Sequence, residues 1–430
     1  MKNFKVQLAF LMLILTSLSS LAQTTIDAEI RPRSEYRSGY KGPLVETSDA
    51  AFLTLQRSRF NADYKTQLLN VHLSLQDARI WGNTDGKTNA SKMELFEAWF
   101  SYLIRSGLTL QVGRQSLKYD DQRIFSPLNW SNTGLAHDMA ILKFEHPFAS
   151  VHLGLAYNNV SDTLANRAYT YTSKQNYKTM GFLWISKHFT PSTTLSLIAV
   201  CDAFEKKTNF KTLFPRYTVG GTFTYESDSS AWGLVVSGYK QSGKNPTKVY
   251  QDGLANLDAY LVGAKLSYKI TPALKCKLGT DVYSGSAPDL DASSSHTFTR
   301  MYGLSHSLNG LMDFYTALPN QGLVNYFVGV ECKFGKKMSA ELVGHSFSLQ
   351  KDFVYKTEKT NKNMGEELDL VLNYTVSKEI AIQAGYCRYF TNSSTKKYFK
   401  LEGKTQHTPE YAYVMFTVRP QLYKTPQIAN

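Results

Sequence analysis

Residues 26–37, IDAEIRPRSEYR, carry a charge at every odd position: Asp27, Glu29, Arg31, Arg33, Glu35 and Arg37. The even positions are Ile26, Ala28, Ile30, Pro32, Ser34 and Tyr36. Successive side chains of a β-strand point to opposite faces, so a strand here has one charged face and one largely apolar face. The division recurs in QRSRFNADYK, where Arg57, Arg59, Asn61, Asp63 and Lys65 oppose Ser58, Phe60, Ala62 and Tyr64. It continues along the chain: Val151, Leu153 and Leu155 oppose His152, Gly154 and Ala156. Tyr217 and Val219 oppose Arg216 and Thr218, and Leu368, Leu370 and Leu372 oppose Glu367, Asp369 and Asn373. No stretch has a convincing helical period.

The connections between these segments alternate in length. Short ones fall at Thr66–Leu68, Arg105–Gly107, His146–Phe148, Lys187–Pro191, Ser227–Ser230, Lys269–Pro272, Gly335–Lys337 and Ser377–Glu379. Between them lie long ones at 38–51, 82–93, 116–137, 159–176, 204–214, 241–256, 284–323, 350–364 and 391–408. The count predicts an all-β chain of about eighteen antiparallel strands. A soluble sandwich has no reason to sort its loops this way, whereas a transmembrane β-barrel has an even strand number, short periplasmic turns and long outer loops. Charges on the lipid face would cost about 2–4 kcal/mol for each Arg or Lys at the bilayer midplane. The charged faces therefore line the inside, and a barrel of this size leaves an aqueous lumen. There is no internal repeat, linker or second domain.

Composition agrees. Charged residues make up 19% of the chain and aromatic residues 13%, with 27 Tyr and 24 Phe, a mix suited to interfacial girdles. Residues 1–22 read as a signal peptide: Lys2 and Lys5, an apolar run from Val6 to Leu18, and Ser20-Leu21-Ala22 as cleavage site. The expected mature unit is residues 23–430, in the cell outer membrane. The net charge of +13 points an exported protein toward anionic lipid headgroups or an anionic solute and not toward nucleic acid. Cys201, Cys276, Cys332 and Cys387 lack the spacing of a disulfide framework and read as small apolar side chains, with a Cys276–Cys332 bridge the one pairing left open.

Strand parity assigns Arg31, Arg33, Arg37, Arg57, Arg59, Arg114, Lys143, Arg216, Lys265, Lys275 and Lys277 to the lumen. Asp27, Glu29, Glu35, Asp63, Glu97, Glu145, Asp281, Glu331, Glu367 and Asp369 share it. Guanidinium forks pair with carboxylates two bonds at a time, and interleaved acids keep an anion's binding weak enough for release. The expected function is passive passage of an anionic solute. The loop at 116–137, with Asp120, Asp121 and Arg123, either folds inward as a constriction or lies on the surface. Two adjacent carboxylates are a weak signal for Ca²⁺ there, and no cofactor is otherwise expected. Ser131, His137 and Asp138 lie close in sequence but carry no nucleophile elbow, and zinc spacings are absent, so no catalytic residues are assigned. An outer-membrane phospholipase or hydrolase and an adhesin barrel are the remaining alternatives; the 284–323 loop, with LNGLMDFY, reads as packing material.

Residues 94–130, ELFEAWFSYLIRSGLTLQVGRQSLKYDDQRIFSPLNW, resemble the alginate-export family of outer-membrane barrels, as do FTRMYGLSHSLNGLMDFY at 298–315 and MGEELDLVLNY at 364–374. The resemblance implies an eighteen-stranded monomer that exports a polyanionic polysaccharide, with periplasmic export machinery as a partner. It places Arg114 of GRQ in the lumen and matches Glu97 and Trp99 to its E-x-W, and Glu367 and Asp369 to its acidic pair. Two departures are visible: Phe96 stands where the family pattern has an arginine, and the Ser377–Glu379 turn is too short to plug a pore. A general anion-preferring porin for small solutes is the alternative.

Overall fold

The computed structural model describes residues 22–83, 93–159, 162, 177–206, 209–251 and 253–425; residues 1–21, most of the expected signal peptide, lie outside it. Eighteen strands build the wall: β1 (Gln23–Ser38), β2 (Ala51–Lys65), β3 (Leu69–Ile80), β4 (Glu94–Arg105), β5 (Leu108–Gln115), β6 (His137–His146), β7 (Ala149–Tyr157), β8 (Thr179–Thr190), β9 (Thr193–Lys206), β10 (Asn209–Glu226), β11 (Trp232–Tyr250), β12 (Gly253–Thr271), β13 (Leu274–Tyr283), β14 (Leu323–Phe334), β15 (Met338–Leu349), β16 (Asn363–Thr375), β17 (Ile380–Phe390) and β18 (Glu410–Val418). Each pairs antiparallel with its neighbour in sequence. β1 also pairs with β18, from Ser38↔Glu410 to Ile30↔Val418, which closes the barrel. Beyond Pro420 the chain resumes the ladder as Gln421–Lys424, with Thr25 opposite Lys424.

The short connections fall where the sequence placed them. Two expected long loops, 204–214 and 241–256, are instead mostly strand. β9 and β10 run to Lys206 and from Asn209, and β11 and β12 run to Tyr250 and from Gly253. A hairpin that leaves the hydrocarbon still has to satisfy its backbone groups, and extending the ladder does so without an apolar face. That removes the alternation by which a strand is read from sequence.

The outward face is apolar. Ile30 is 47% exposed and Phe60 41%, while their inward neighbours Arg31, Arg33 and Arg57 are 5%, 5% and 0% exposed. Exposed aromatic side chains gather near the strand ends: Tyr64, Phe148, Phe189, Trp232, Tyr268 and Phe334 toward the short turns, and Phe52, Tyr157, Tyr217, Tyr260 and Phe390 toward the long loops. Aliphatic residues such as Leu153, Val219, Val262 and Val328 lie between them. This is the lipid-facing pattern of a spanning barrel.

The hydrophobic core lies inside the cylinder. The loops 116–136 and 284–322 enter the barrel, and Phe125, Phe298, Met301, Tyr302, Met312 and Tyr315 bury themselves against inward aromatics of the wall such as Phe182, Phe204, Phe347 and Tyr389. The two loops are stitched together by backbone bonds: Ser126 N to Tyr302 O at 2.9 Å, Tyr302 N to Ile124 O at 3.2 Å and Leu304 N to Gln122 O at 2.8 Å. Gly303 permits this approach, since a Cβ there would sit 1.9 Å from the Arg123 carbonyl oxygen.

Candidate pore lining and constriction

The arginines of β1 and β2 meet the 116–136 loop. Arg31 Nη1 donates to Asn129 O at 2.6 Å and Nη2 to Ser131 O at 3.0 Å. Arg33 Nη1 donates to Trp130 O at 2.8 Å, and its guanidinium lies 3.9 Å from the Trp130 ring centre. Arg57 Nη2 donates to Asn129 Oδ1 at 3.0 Å. Trp130 in turn stacks on His306 of the second loop at 4.0 Å. Lumenal arginines thus hold the loop's polar backbone in place, a role open to a fork with five donors.

Most of these cations have acid partners. Glu29 accepts from Arg57 Nε at 2.7 Å and Arg419 Nε at 2.9 Å. Glu35 accepts from Arg33 Nε and Arg37 Nε, each at 2.6 Å. Arg216 forms a two-pronged pair with Asp202 (Nε–Oδ1 3.0 Å, Nη2–Oδ2 2.5 Å) and donates to Thr299 Oγ1 at 2.7 Å, so it pins the second loop. Arg59 has no acid partner among the described residues: it donates to Gln76 Oε1 at 2.7 Å and lies 3.7 Å over the Phe96 ring. A bulge in β4 turns Phe96 inward beside Glu97, so the residue that departs from the family pattern is that arginine's stacking face. Glu97 accepts from Ser116 N at 2.6 Å and fixes the start of the loop. Lys143 donates to Gln111 Oε1 at 2.6 Å, Asp27 accepts from Asn61 Nδ2 at 2.6 Å, Asp63 contacts His72 Nδ1 at 2.8 Å, and Glu145 contacts His152 Nε2 at 2.7 Å.

Within the loop, Arg123 is almost wholly buried and bridges two carboxylates, Asp121 Oδ2 and Asp281 Oδ1, both at 2.7 Å. Burial works against its cation, yet Asp281, Tyr283 and Asp121 prevail and raise its pKa. Asp120 takes the opposite direction from its neighbour, accepting from Trp184 Nε1 at 3.0 Å; burial raises its carboxyl above the ordinary range. The second loop is held by Glu367 and Asp369, which accept from Met312 N at 2.7 Å and Leu311 N at 3.0 Å. Asp313 accepts from Tyr40 OH and contacts His306 Nδ1 at 3.0 Å; burial opposes its charge, but the His306 and Tyr40 hydrogen bonds outweigh it and keep the carboxyl below its ordinary value.

On the short-turn side of the loops the lumen retains a cavity of about 700 Å³. Its charged lining includes Arg31, Arg419, Lys265, Lys277, Asp281 and Asp369. Lys277 Nζ pairs with Glu341 Oε1 at 2.5 Å, whereas Arg31 and Lys265 form no ion pair among the described residues. Lys275 and Glu331 stand with Lys265 and Lys277 at the mouth.

One site assignment from the sequence is corrected. Arg114 does not face the lumen: Gln111 and Gln115 occupy the inward positions of β5, and Arg114 lies on the outer face, 2.8 Å from Asp138. His137 and Asp138 consequently point to opposite faces, His137 to Tyr177 OH at 3.1 Å, which dissolves the Ser131/His137/Asp138 grouping. Cys276 and Cys332 are unpaired thiols, like Cys201 and Cys387. Asp120 and Asp121 diverge to separate partners, and among the described residues no three His, Cys, Asp or Glu side chains gather as metal ligands. Sequence reasoning missed Arg419, whose parity with Tyr413, Met415 and Thr417 marks it as inward, and Trp130, for which no signal existed.

Solved structures share the fold over nearly the whole chain. Pseudomonas aeruginosa OpdO superposes with a TM-score of 0.60 at 13% identity, covering 93% of this chain and 98% of that one. Acinetobacter baumannii OccAB1 gives 0.60 at 11% identity, covering 94% and 97%. Pseudomonas aeruginosa OpdK, solved with vanillate, gives 0.54 at 12% identity, covering 92% and 98%. No curated protein matches in sequence. A profile described as alginate export matches residues 22–392, and with that span, the closed eighteen-stranded wall and its lipid-facing belts, the chain belongs to the alginate-export family of outer-membrane barrels.

Proposed function

We propose that this outer-membrane channel carries carboxylate-bearing solutes, and that a uronate polymer of the alginate kind is its principal cargo, moving outward by passive passage. The observation that carries the reading is Arg31. It is an inward guanidinium on the cavity wall, held by loop carbonyls instead of a carboxylate, with Lys265 as a second unpaired cation. Carbonyls leave the positive charge uncompensated, so the cavity wall offers an anion two attractive points at Arg31 and Lys265. The chain acts as a monomer, and a polymer cargo implies a periplasmic machine that delivers it. Reversal potential across a planar bilayer in a salt gradient tests the reading: anion preference is expected, and cation preference would end it. Liposome swelling should be faster with uronic-acid oligomers than with neutral sugars of equal size.

A second reading, a porin for small anions, draws on the cavity itself. About 700 Å³ ending against two packed loops suits a small solute better than a chain of sugars. OpdK, with the same fold, was solved with vanillate, a small carboxylate. Swelling by acetate and uronate monomers but not by oligomers would select this reading.

A further inference from the structure

The inward face of a water-filled barrel is ordinarily polar. Here four apolar side chains interrupt the polar lining. Phe327 of β14, Val343 of β15, Val371 of β16 and Met415 of β18 all point into the cavity, while their sequence neighbours Val328, Leu342, Leu372 and Phe416 face lipid. The Phe327 ring is the centre of this patch. It lies across Gly279 of β13: a Cβ on that glycine would sit 2.4 Å from the ring's Cζ and 3.0 Å from its Cε1. The missing side chain therefore leaves room for the ring over the sheet, where it lines the cavity. The next strand in the same row places Lys265 opposite Gly279, so an ammonium without an ion-pair partner lines the same cavity two strands from Phe327. On the far side of the row stands His345, with ring centres 5.9 Å apart.

We propose that the cavity holds a binding site for an aromatic monocarboxylate, its ring stacked on Phe327 and its carboxylate on Lys265. The inference rests on the second reading above, a porin for small anions, and narrows that reading's solute. An aromatic ring and a cation without an ion-pair partner in one row of the wall match a ligand with one ring and one negative charge. A pyranose would bring hydroxyl groups against Val235 and Val343, which offer them no hydrogen bonds in exchange for lost water. An aliphatic acid would satisfy Lys265 but forgo the ring-on-ring contact.

The test uses the purified full barrel in planar bilayers. Benzoate, hexanoate, glucuronate and benzyl alcohol are added in turn, and the concentration that halves chloride current is read. Benzoate should act at roughly five-fold lower concentration than glucuronate or hexanoate, the size of one stacked-ring contact, and benzyl alcohol should be inert. Phe327→Leu keeps apolar volume without a ring and should bring the benzoate-to-hexanoate ratio close to one. Lys265→Gln should weaken benzoate and hexanoate together. Phe334→Leu, on the lipid face, is the control and should leave the ratio intact. Equal potency of benzoate, hexanoate and glucuronate in an anion-preferring wild type would overturn the aromatic site alone, as would an unchanged ratio in Phe327→Leu. Cation preference in the wild type would overturn both this site and the channel reading beneath it.

Discussion

Arg123, on a loop, and Asp281, on β13, form a 2.7 Å ion pair inside the barrel, with Asp121 closing on the same guanidinium at 2.7 Å. The pair joins the inserted loop to the wall on the side opposite its other anchor, the β1 and β2 arginines. These are two of the loop's fastenings, and both border the cavity.

Breaking the first fastening is expected to widen the lumen. Arg123→Ala leaves Asp281 buried without a partner, a loss of about 3–5 kcal/mol for such pairs. Single-channel recording should show larger and noisier conductance than wild type. An unchanged conductance would mean that the remaining anchors and the aromatic packing keep the loop seated without Arg123.

Removing the Arg31 guanidinium should change selectivity. Arg31→Ser takes one positive charge from the cavity wall and is expected to lower the anion-to-cation permeability ratio. Adding Arg57→Ser deprives Glu29 of one of its two guanidinium partners and should lower the ratio further. Reversal potentials of the two variants in the same salt gradient provide the check.

Arg114 supplies the contrast. It sits outside, paired with Asp138, with 40% of its side chain exposed. Arg114→Ala is expected to leave the reversal potential unchanged, because exposed pairs contribute little and this one faces away from the ion path. A shift comparable to that of Arg31→Ser would contradict the outward placement.

Asp120 gives a pH dependence with a definite sign. Burial raises its pKa, so the folded state binds this proton more readily than the unfolded chain. Its contribution to stability is complete below the ordinary aspartate range and is lost as pH rises through the raised value. Asp120→Asn should remove that loss. Neutral and mildly acidic unfolding midpoints should then lie closer together than in wild type, with the gain at neutral pH; Asp121, which keeps its Arg123 partner, is left untouched.

The wall was legible because lipid enforces it. Ile30 against Arg31, and Phe60 against Arg59, are choices the hydrocarbon makes at every second residue. Arg114 was misread because that enforcement ends at the rim: Leu110 and Val112 precede it on the outer face of β5, and at the strand's end a paired charge replaces the apolar residue. The long hairpins of β9–β10 and β11–β12 were read as loops for the same reason. The loop at 284–322 showed its apolar character in LNGLMDFY, yet its place inside the cylinder depends on partners scattered over the wall: Asp202, Gln241, Glu367 and Asp369. No local pattern records such a set. Strand parity turns the arginines of β1 and β2 inward, but that their donors are taken up by Asn129, Trp130 and Ser131 is beyond its reach.

The backbone stitching of the two inserted loops has a mechanical consequence. Tyr302 and Phe125 travel as one body, since each loop donates main-chain hydrogen bonds to the other. Displacing either loop alone would break those bonds, so a change that unseats one is expected to unseat the other, from Ser116 on one side and Ser284 on the other.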